Sequence, residues 1–203
     1  HLQNDGKRIP GTEGSAGASM KSYQAKLIAT AAQQSQWPLS DLPEIAFAGR
    51  SNAGKSSLIN ALVNRKNLAY SGKTPGKTRL LNFFNVDDRV VFTDCPGYGY
   101  ATSDRQSAIA FGKLIEPYFQ KRENLKGMIL VLDCRRIPSG EDLDMIEYGR
   151  ENHLNIIVAC TKADKISRGK FLSNASKIAG VLGLPVSALV PVDSISKKGM
   201  DEI

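Results

Sequence analysis

Histidine is almost missing from this chain: there are two in 203 residues, His1 and His153. His1 falls in a segment read below as a linker, so a histidine-based hydrolase triad has little to build on. Cysteine is scarce as well. Cys95, Cys134 and Cys160 are far apart, odd in number and never spaced as Cys-x-x-Cys. That argues against a zinc site or a disulfide framework and predicts reduced thiols in a cytosolic protein. No apolar run approaches the ~20 residues needed to span a bilayer, and no apolar signal-peptide core follows the N-terminus. A soluble chain with no membrane partner is expected. Acidic residues are in deficit, 20 against 27 Lys and Arg, for a net charge of +7. That balance suits a polyanionic partner such as RNA, or simply a solvated basic surface.

The hydrophobic content of 41% is enough for a proper core, and the length suits one domain with appendages. Residues 1–19 are Gly/Ser-rich and read as a non-native linker without fixed structure, with Met20 as the native start. Residues 20–203 read as a single domain. Met20 to about Gln36 suggests a weak amphipathic helix or an extended arm, stopped by Trp37-Pro38 and Leu42-Pro43; Trp37 is expected to pack against the domain edge.

Beyond that point strands alternate with helices. Strands are predicted at Ile45–Ala48, Arg79–Val86, Arg89–Thr93, Gly127–Asp133, Asn155–Cys160 and Leu189–Val192. Helices are predicted from Ser57 to Leu62, from about Asp104 to Arg122 with a kink near Pro117, from Gly140 to Asn152 and from Arg168 to Leu182. The Asp87-Asp88 pair suggests a hairpin between the second and third strands. The expected fold class is α/β: a doubly wound, mostly parallel six-stranded sheet with one antiparallel edge strand and helices on both faces. The chain stops at Ile203 as another helix begins, so a truncated C-terminal helix is expected.

One stretch organises the rest. Residues 49–56, Gly-Arg-Ser-Asn-Ala-Gly-Lys-Ser, follow an apolar strand and open a helix, the setting of a Gly-x4-Gly-Lys-Ser phosphate loop. Gly49 and Gly54 let the backbone of Arg50, Ser51, Asn52 and Ala53 turn its N–H groups toward one anion. The helix N-terminus, including Ser57, adds partial positive charge. Lys55 is placed to reach terminal phosphates and the Ser56 hydroxyl to hold Mg2+. Asp94-Cys95-Pro96-Gly97 closes a strand downstream; Asp94 can hold the metal through water and Gly97 can offer its N–H to a γ-phosphate. Thr161-Lys162-Ala163-Asp164 ends a later strand. The Asp164 carboxylate can accept from guanine N1–H and the 2-amino group, donors that adenine lacks. At roughly 1.5–3 kcal/mol each, two such bonds separate GTP from ATP by about two to four decades. Lys162 can lay its stem along the base. The competing reading of Asp164 is a helix N-cap.

These three motifs, in this order, are those of translation-factor-class P-loop GTPases. More narrowly, the chain resembles the YihA/EngB family of ribosome-biogenesis GTP-binding proteins, a branch of the TrmE-Era-like P-loop GTPases. The resemblance is carried by residues 43–60, by Lys73-Thr74-Pro75-Gly76-Lys77-Thr78, by Leu81-Asn82-Phe83-Phe84 and by Asp94-Cys95-Pro96-Gly97-Tyr98-Gly99-Tyr100-Ala101. It implies GTP/GDP binding and slow hydrolysis with Mg2+, with Lys55, Thr78 and Gly97 in catalytic roles. It further implies a nucleotide contact by Gly76 and Lys77, and Ser56, Thr78 and Asp94 around the metal. Thr74 competes with Thr78 as the switch threonine. A last base contact falls on Val192-Asp193-Ser194, with Ser187-Ala188-Leu189 as the rival signature in a less suitable place. The position after Gly97, where other GTPases carry a water-orienting Gln, is Tyr98, so slow turnover without a partner or cation is expected. Asn52 resembles the asparagine that helps bind K+ in Era-like GTPases; its other reading is a loop-stabilising hydrogen bond. The family implies a cytoplasmic, monomeric protein that assembles the large ribosomal subunit on rRNA and is needed for bacterial cell division and septation. A P-loop ATPase and a nucleotide-gated division scaffold that does not touch ribosomes are the alternatives.

Overall fold

The computed structural model describes residues 23–66, 68–69, 79–99 and 104–193. In chain order the elements are β1 (Ala25–Ala31), β2 (Glu44–Gly49), α1 (Lys55–Leu62), β3 (Leu81–Val86), β4 (Val90–Asp94) and α2 (Arg105–Lys121). They continue with β5 (Leu125–Asp133), α3 (Gly140–Glu151), β6 (Asn155–Thr161), α4 (Arg168–Leu182) and β7 (Leu189–Pro191). The strands form one sheet in the order β1-β3-β4-β2-β5-β6-β7. Pairings β2–β4, β2–β5, β5–β6 and β6–β7 are parallel, whereas β3 is antiparallel to both β4 and β1. One strand, β3, therefore runs against the other six.

The period-2 geometry of a strand explains why the sheet is covered on both sides. Along β5, Met128, Leu130 and Leu132 join one core with α2, α3 and α4, while Ile129 and Val131 join a second core with α1. Along β2, Ala46 and Ala48 face the first core and Phe47 the second. Near-continuous apolar runs are what such two-sided burial requires.

One local difference from the sequence reading has a physical cause. The stretch read as an amphipathic helix or arm contains strand β1, which adds a seventh strand outside β3. As an edge strand it leaves Lys26, Leu27 and Thr30 exposed and shows no clean alternation. Helix α2 runs through Pro117 to Lys121, close to the span expected for it. The β3–β4 hairpin does turn at Asp87-Asp88, both with positive φ, and Arg89 N–H donates to Val86 O.

The end of the sheet opposite the parallel strands' C-termini is pinned by a buried charge. Glu44 is fully buried and accepts from Arg122 Nη2 at 2.6 Å and Nε at 3.1 Å. The Tyr118 hydroxyl lies 2.8 Å from Glu44 and 2.7 Å from Thr93 Oγ1. Trp37 packs edge-on against Tyr118, and the Arg122 guanidinium lies over its ring. This cluster ties the 37–44 entry segment to α2 and leaves the opposite end of the sheet for ligands.

Candidate functional site

Four parallel strands end close together, and each ends on a residue suited to a site: Gly49 on β2, Asp94 on β4, Asp133 on β5 and Thr161 on β6. The register enforces this convergence, pairing Phe47 with Asp94, Gly49 with Val131 and Asp133 with Thr161. Ligands of open α/β sheets bind beyond such strand ends.

The loop from Gly49 leads directly into α1, with Gly54 at φ +99° as the residue before its first turn. A Cβ on Gly49 would sit 2.7 Å from Val131 O, so only glycine lets β2 approach β5 there. Asn52 also adopts positive φ. The loop is tied down on two sides. Thr161, buried, donates its hydroxyl to Ala53 O at 2.6 Å, and Lys162 Nζ donates to Asn52 O at 3.3 Å. On the other side Ser51 N–H donates to Tyr98 O at 2.8 Å, and Tyr98 N–H reaches Gly49 O at 3.4 Å. Arg50 bridges Tyr98 in parallel fashion and its guanidinium reaches Gly99 O. The residues 49–51 and 97–99 thus extend the β2–β4 pairing past the strand ends.

Lys55 and Asp94 form an ion pair in which both side chains are largely buried. Ser56 is half-buried and Ser57 exposed, both in the first turn of α1. On the far side of the loop Asp133 gathers three cations: Arg135 at 2.9 Å, Lys162 at 3.5 Å and Arg136 at 3.9 Å. Burial alone raises a carboxyl pKa, but the Arg135 side chain and backbone N–H overcome it and hold Asp133 at about 2. Asp164 is exposed on the short helical turn that follows Lys162. The cap of α4 is Ser167, whose side chain accepts from Lys170 N–H, so the N-cap alternative for Asp164 gains no support.

Tyr98 is buried and donates its hydroxyl to Asp142 Oδ1. Asp142, also buried, forms the capping box of α3, its other oxygen accepting from Ser139 N–H at 2.8 Å. Burial, and then the Asp142 charge and hydrogen bond, push the Tyr98 hydroxyl far above its usual range, which keeps it a donor. The three thiols are buried and burial raises them, Cys95 and Cys160 to about 12 and Cys134 to about 11.

Val192, assigned above to a base contact, is buried in the α1-side core, and its N–H donates to Cys160 O. Asp193 follows it; Ser194 lies outside the described residues, as do Thr74, Gly76, Lys77 and Thr78. Asp133, Arg135 and the Tyr98–Asp142 pair were not singled out from sequence. For Asp133 a signal existed: like Asp94, it is an acid closing a continuous apolar strand.

Among the described residues no group of three or more His, Cys, Asp or Glu could hold a metal, and no helix is long and apolar enough to cross a membrane.

Residues 44–162 match a family described as 50S ribosome-binding GTPase. The chain is 45% identical over 184 residues to the probable GTP-binding protein EngB of Streptococcus pneumoniae (strain Hungary19A-6), covering 90% of this chain and 94% of that protein. The corresponding protein of S. pneumoniae strain ATCC 700669 / Spain 23F-1 matches to the same extent. Among solved structures, a probable GTP-binding protein engB superposes with a TM-score of 0.65 at 24% identity, over 78% of this chain and 93% of that one. Aquifex aeolicus Era bound to GDP.AlF4- gives 0.58 at 22% identity, over 79% and 54%. These structural likenesses carry the fold.

Proposed function

Because this chain belongs to the EngB (YihA) family of GTP-binding proteins, a GTPase family, we propose that it is a slow guanine-nucleotide switch acting in large ribosomal subunit assembly. The observation that carries the reading is the cradle at the ends of β2, β4 and β6, where Gly49–Ser57, Asp94 and Thr161–Asp164 meet.

In this reading the loop binds the phosphates through the N–H groups the fold leaves open, since Ser51 N–H is held by Tyr98 O and Ala53 N–H by Arg50 O, and Lys55 exchanges its Asp94 partner for them. Gly97 N–H and Lys55 steady the γ-phosphoryl group, and the family resemblance adds Gly76, Lys77 and Thr78 to its contacts. Asp164 reads the guanine edge and Lys162, steered by Asp133, lies along the base. The last base contact shifts past Val192 to Asp193 and Ser194, since the Val192 N–H is held in the sheet. The Ser56 and Thr78 hydroxyls and the Asp94 carboxylate, through water, would hold Mg2+. An all-oxygen set with a single carboxylate suits that hard cation, which supplies charge neutralisation at the phosphates.

In hydrolysis a water oxygen bonds to the γ-phosphorus as the bond to the bridging oxygen breaks. GDP leaves with that electron pair; one water proton stays on the phosphate and the other goes to solvent or a phosphoryl oxygen. Among the described residues the one histidine, His153, is exposed on the turn between α3 and β6, at the opposite end of the sheet from the phosphate loop. Tyr98 is turned away onto Asp142. These two facts support slow intrinsic turnover. K+ at Asn52 is proposed as one remedy; the loop bond that Asn52 makes uses its main-chain carbonyl. Equal rates in KCl and NaCl would remove the proposal. Three buried, protonated thiols are in keeping with the cytoplasm. The net charge of +7 suits rRNA, and a requirement in cell division is proposed to follow from the ribosomal role.

The test is co-sedimentation with separated ribosomal subunits in a non-hydrolysable GTP analogue, in GDP and without nucleotide. Binding to the large subunit with the analogue alone is expected. No binding in any state would refute the ribosomal role while leaving nucleotide binding, measured by GDP titration against ATP competition, to stand or fall separately.

A further inference from the structure

The phosphate loop contains one polar atom that the fold leaves unused. Ser51 Oγ is shut off from solvent and, among the described residues, is the buried side-chain oxygen or nitrogen without a hydrogen-bond partner. Several polar side chains of the site are committed elsewhere: Lys55 to Asp94, the Arg50 guanidinium to Gly99 O, the Thr161 hydroxyl to Ala53 O and the Tyr98 hydroxyl to Asp142. The Ser51 backbone is fixed, because its N–H donates to Tyr98 O. Its hydroxyl is also held against Gly97, where an added Cβ would meet Ser51 Oγ at 3.0 Å. A serine hydroxyl is both donor and acceptor, and burying it without a partner is unfavourable, so it calls for an explanation.

We infer that the Ser51 hydroxyl is a catalytic hydrogen-bond donor to a γ-phosphoryl oxygen, seated beside the Gly97 N–H that addresses the same group. The inference rests on the guanine-nucleotide reading of the loop. Shut off from solvent here, Ser51 Oγ is uncovered as the phosphates enter and Lys55 leaves Asp94; a donor held in such a water-poor cradle acts most strongly as negative charge shifts over the phosphoryl oxygens and the bridging oxygen. Ser51 supplies that on the side where Tyr98, anchored to α3, contributes nothing. The contact is possible only with a third phosphate present. Ser51 is thus a residue that distinguishes GTP from GDP, unlike the main-chain cradle, which serves both.

The full chain and its Ser51→Ala variant are compared by titration with fluorescent GDP, by titration with a non-hydrolysable GTP analogue, and by single-turnover GTP hydrolysis. The expected result is a GDP Kd within about twofold of wild type, with hydrolysis slowed roughly ten- to a hundredfold, the lower end of what loss of one such donor costs. Ser51→Gly, which also lacks the hydroxyl, is expected to reproduce the split. Hydrolysis at the wild-type rate in either variant overturns the inference. So does a loss of GDP affinity equal to the loss of GTP-analogue affinity, since that marks a residue shaping the loop alone. Absence of GDP binding in the wild-type chain would instead overturn the guanine-nucleotide reading on which the inference depends.

Discussion

Replacing Tyr98 by Phe removes one oxygen from the fold and little else. The ring stays in its buried place against Phe111, with centroids 5.8 Å apart, so packing is preserved. What goes is the hydroxyl's bond to Asp142 Oδ1. Asp142 is 1% exposed, so bulk water does not replace the lost donor; among the described residues the carboxylate keeps its contacts with Ser139. A hydrogen bond to a charged group contributes roughly 1.5–3 kcal/mol. For a domain of this size each kcal/mol moves Tm by about 2–4 °C, which gives an expected drop of about 3–12 °C. The assay is thermal unfolding of Tyr98→Phe, Asp142→Ala and the double variant. Because the residues touch, the double variant should lose clearly less than the sum of the single losses. A Tm unchanged to within about 1 °C, or strict additivity, would refute the idea that the Tyr98 hydroxyl acts through Asp142.

Arg122→Met strands the fully buried Glu44 carboxylate; breaking such a pair costs about 3–5 kcal/mol, measurable by urea unfolding, and a companion Glu44→Gln change should recover part of it. Asp133, held at about 2 in the fold against about 3.9 when unfolded, contributes stability present above about pH 4 and lost as pH falls toward 2. Asp133→Asn should flatten the acid limb of the stability curve in that window, and an unchanged limb would contradict the assignment. Cys95, Cys134 and Cys160, with their thiols raised to about 12, 11 and 12, should resist a thiol-specific reagent at pH 8 in the native state and react fully in denaturant.

The parts of the fold that could be read from the sequence are those whose cause is local. A phosphate loop must follow a strand and open a helix, so the string from Gly49 to Ser56 located β2, α1 and the ligand end of the sheet together. Buried strands announce themselves as apolar runs, and β5 and β6 lie where Met128–Leu132 and Ile156–Cys160 put them. Strand β1 did not announce itself. Its order comes from pairing with β3, fifty or more residues away, while its outer side stays wet, so neither a helical nor a strand period is imposed on its residues.

The same distinction applies within the site. Lys55, Asp94 and Lys162 could be picked out because the phosphate, metal and base contacts proposed for them each call for a residue type at a set distance from a strand end, and the structure brings all three to that end. Asp133 meets Lys162, Tyr98 meets Asp142 and Glu44 meets Arg122 across sequence separations set only by topology. These partners fix where the legible residues point. Tyr98 makes the consequence concrete: from its position after Gly97 it stands where a water-orienting side chain would be sought, and only its Asp142 partner, 44 residues on, shows that it faces the core. With that group withdrawn, a hydroxyl that no motif singles out, Ser51 Oγ, is left as the uncommitted polar atom beside Gly97. In the proposed reading the spacing of the motif sets where the phosphates would go, while long-range packing decides which side chains remain to act on them.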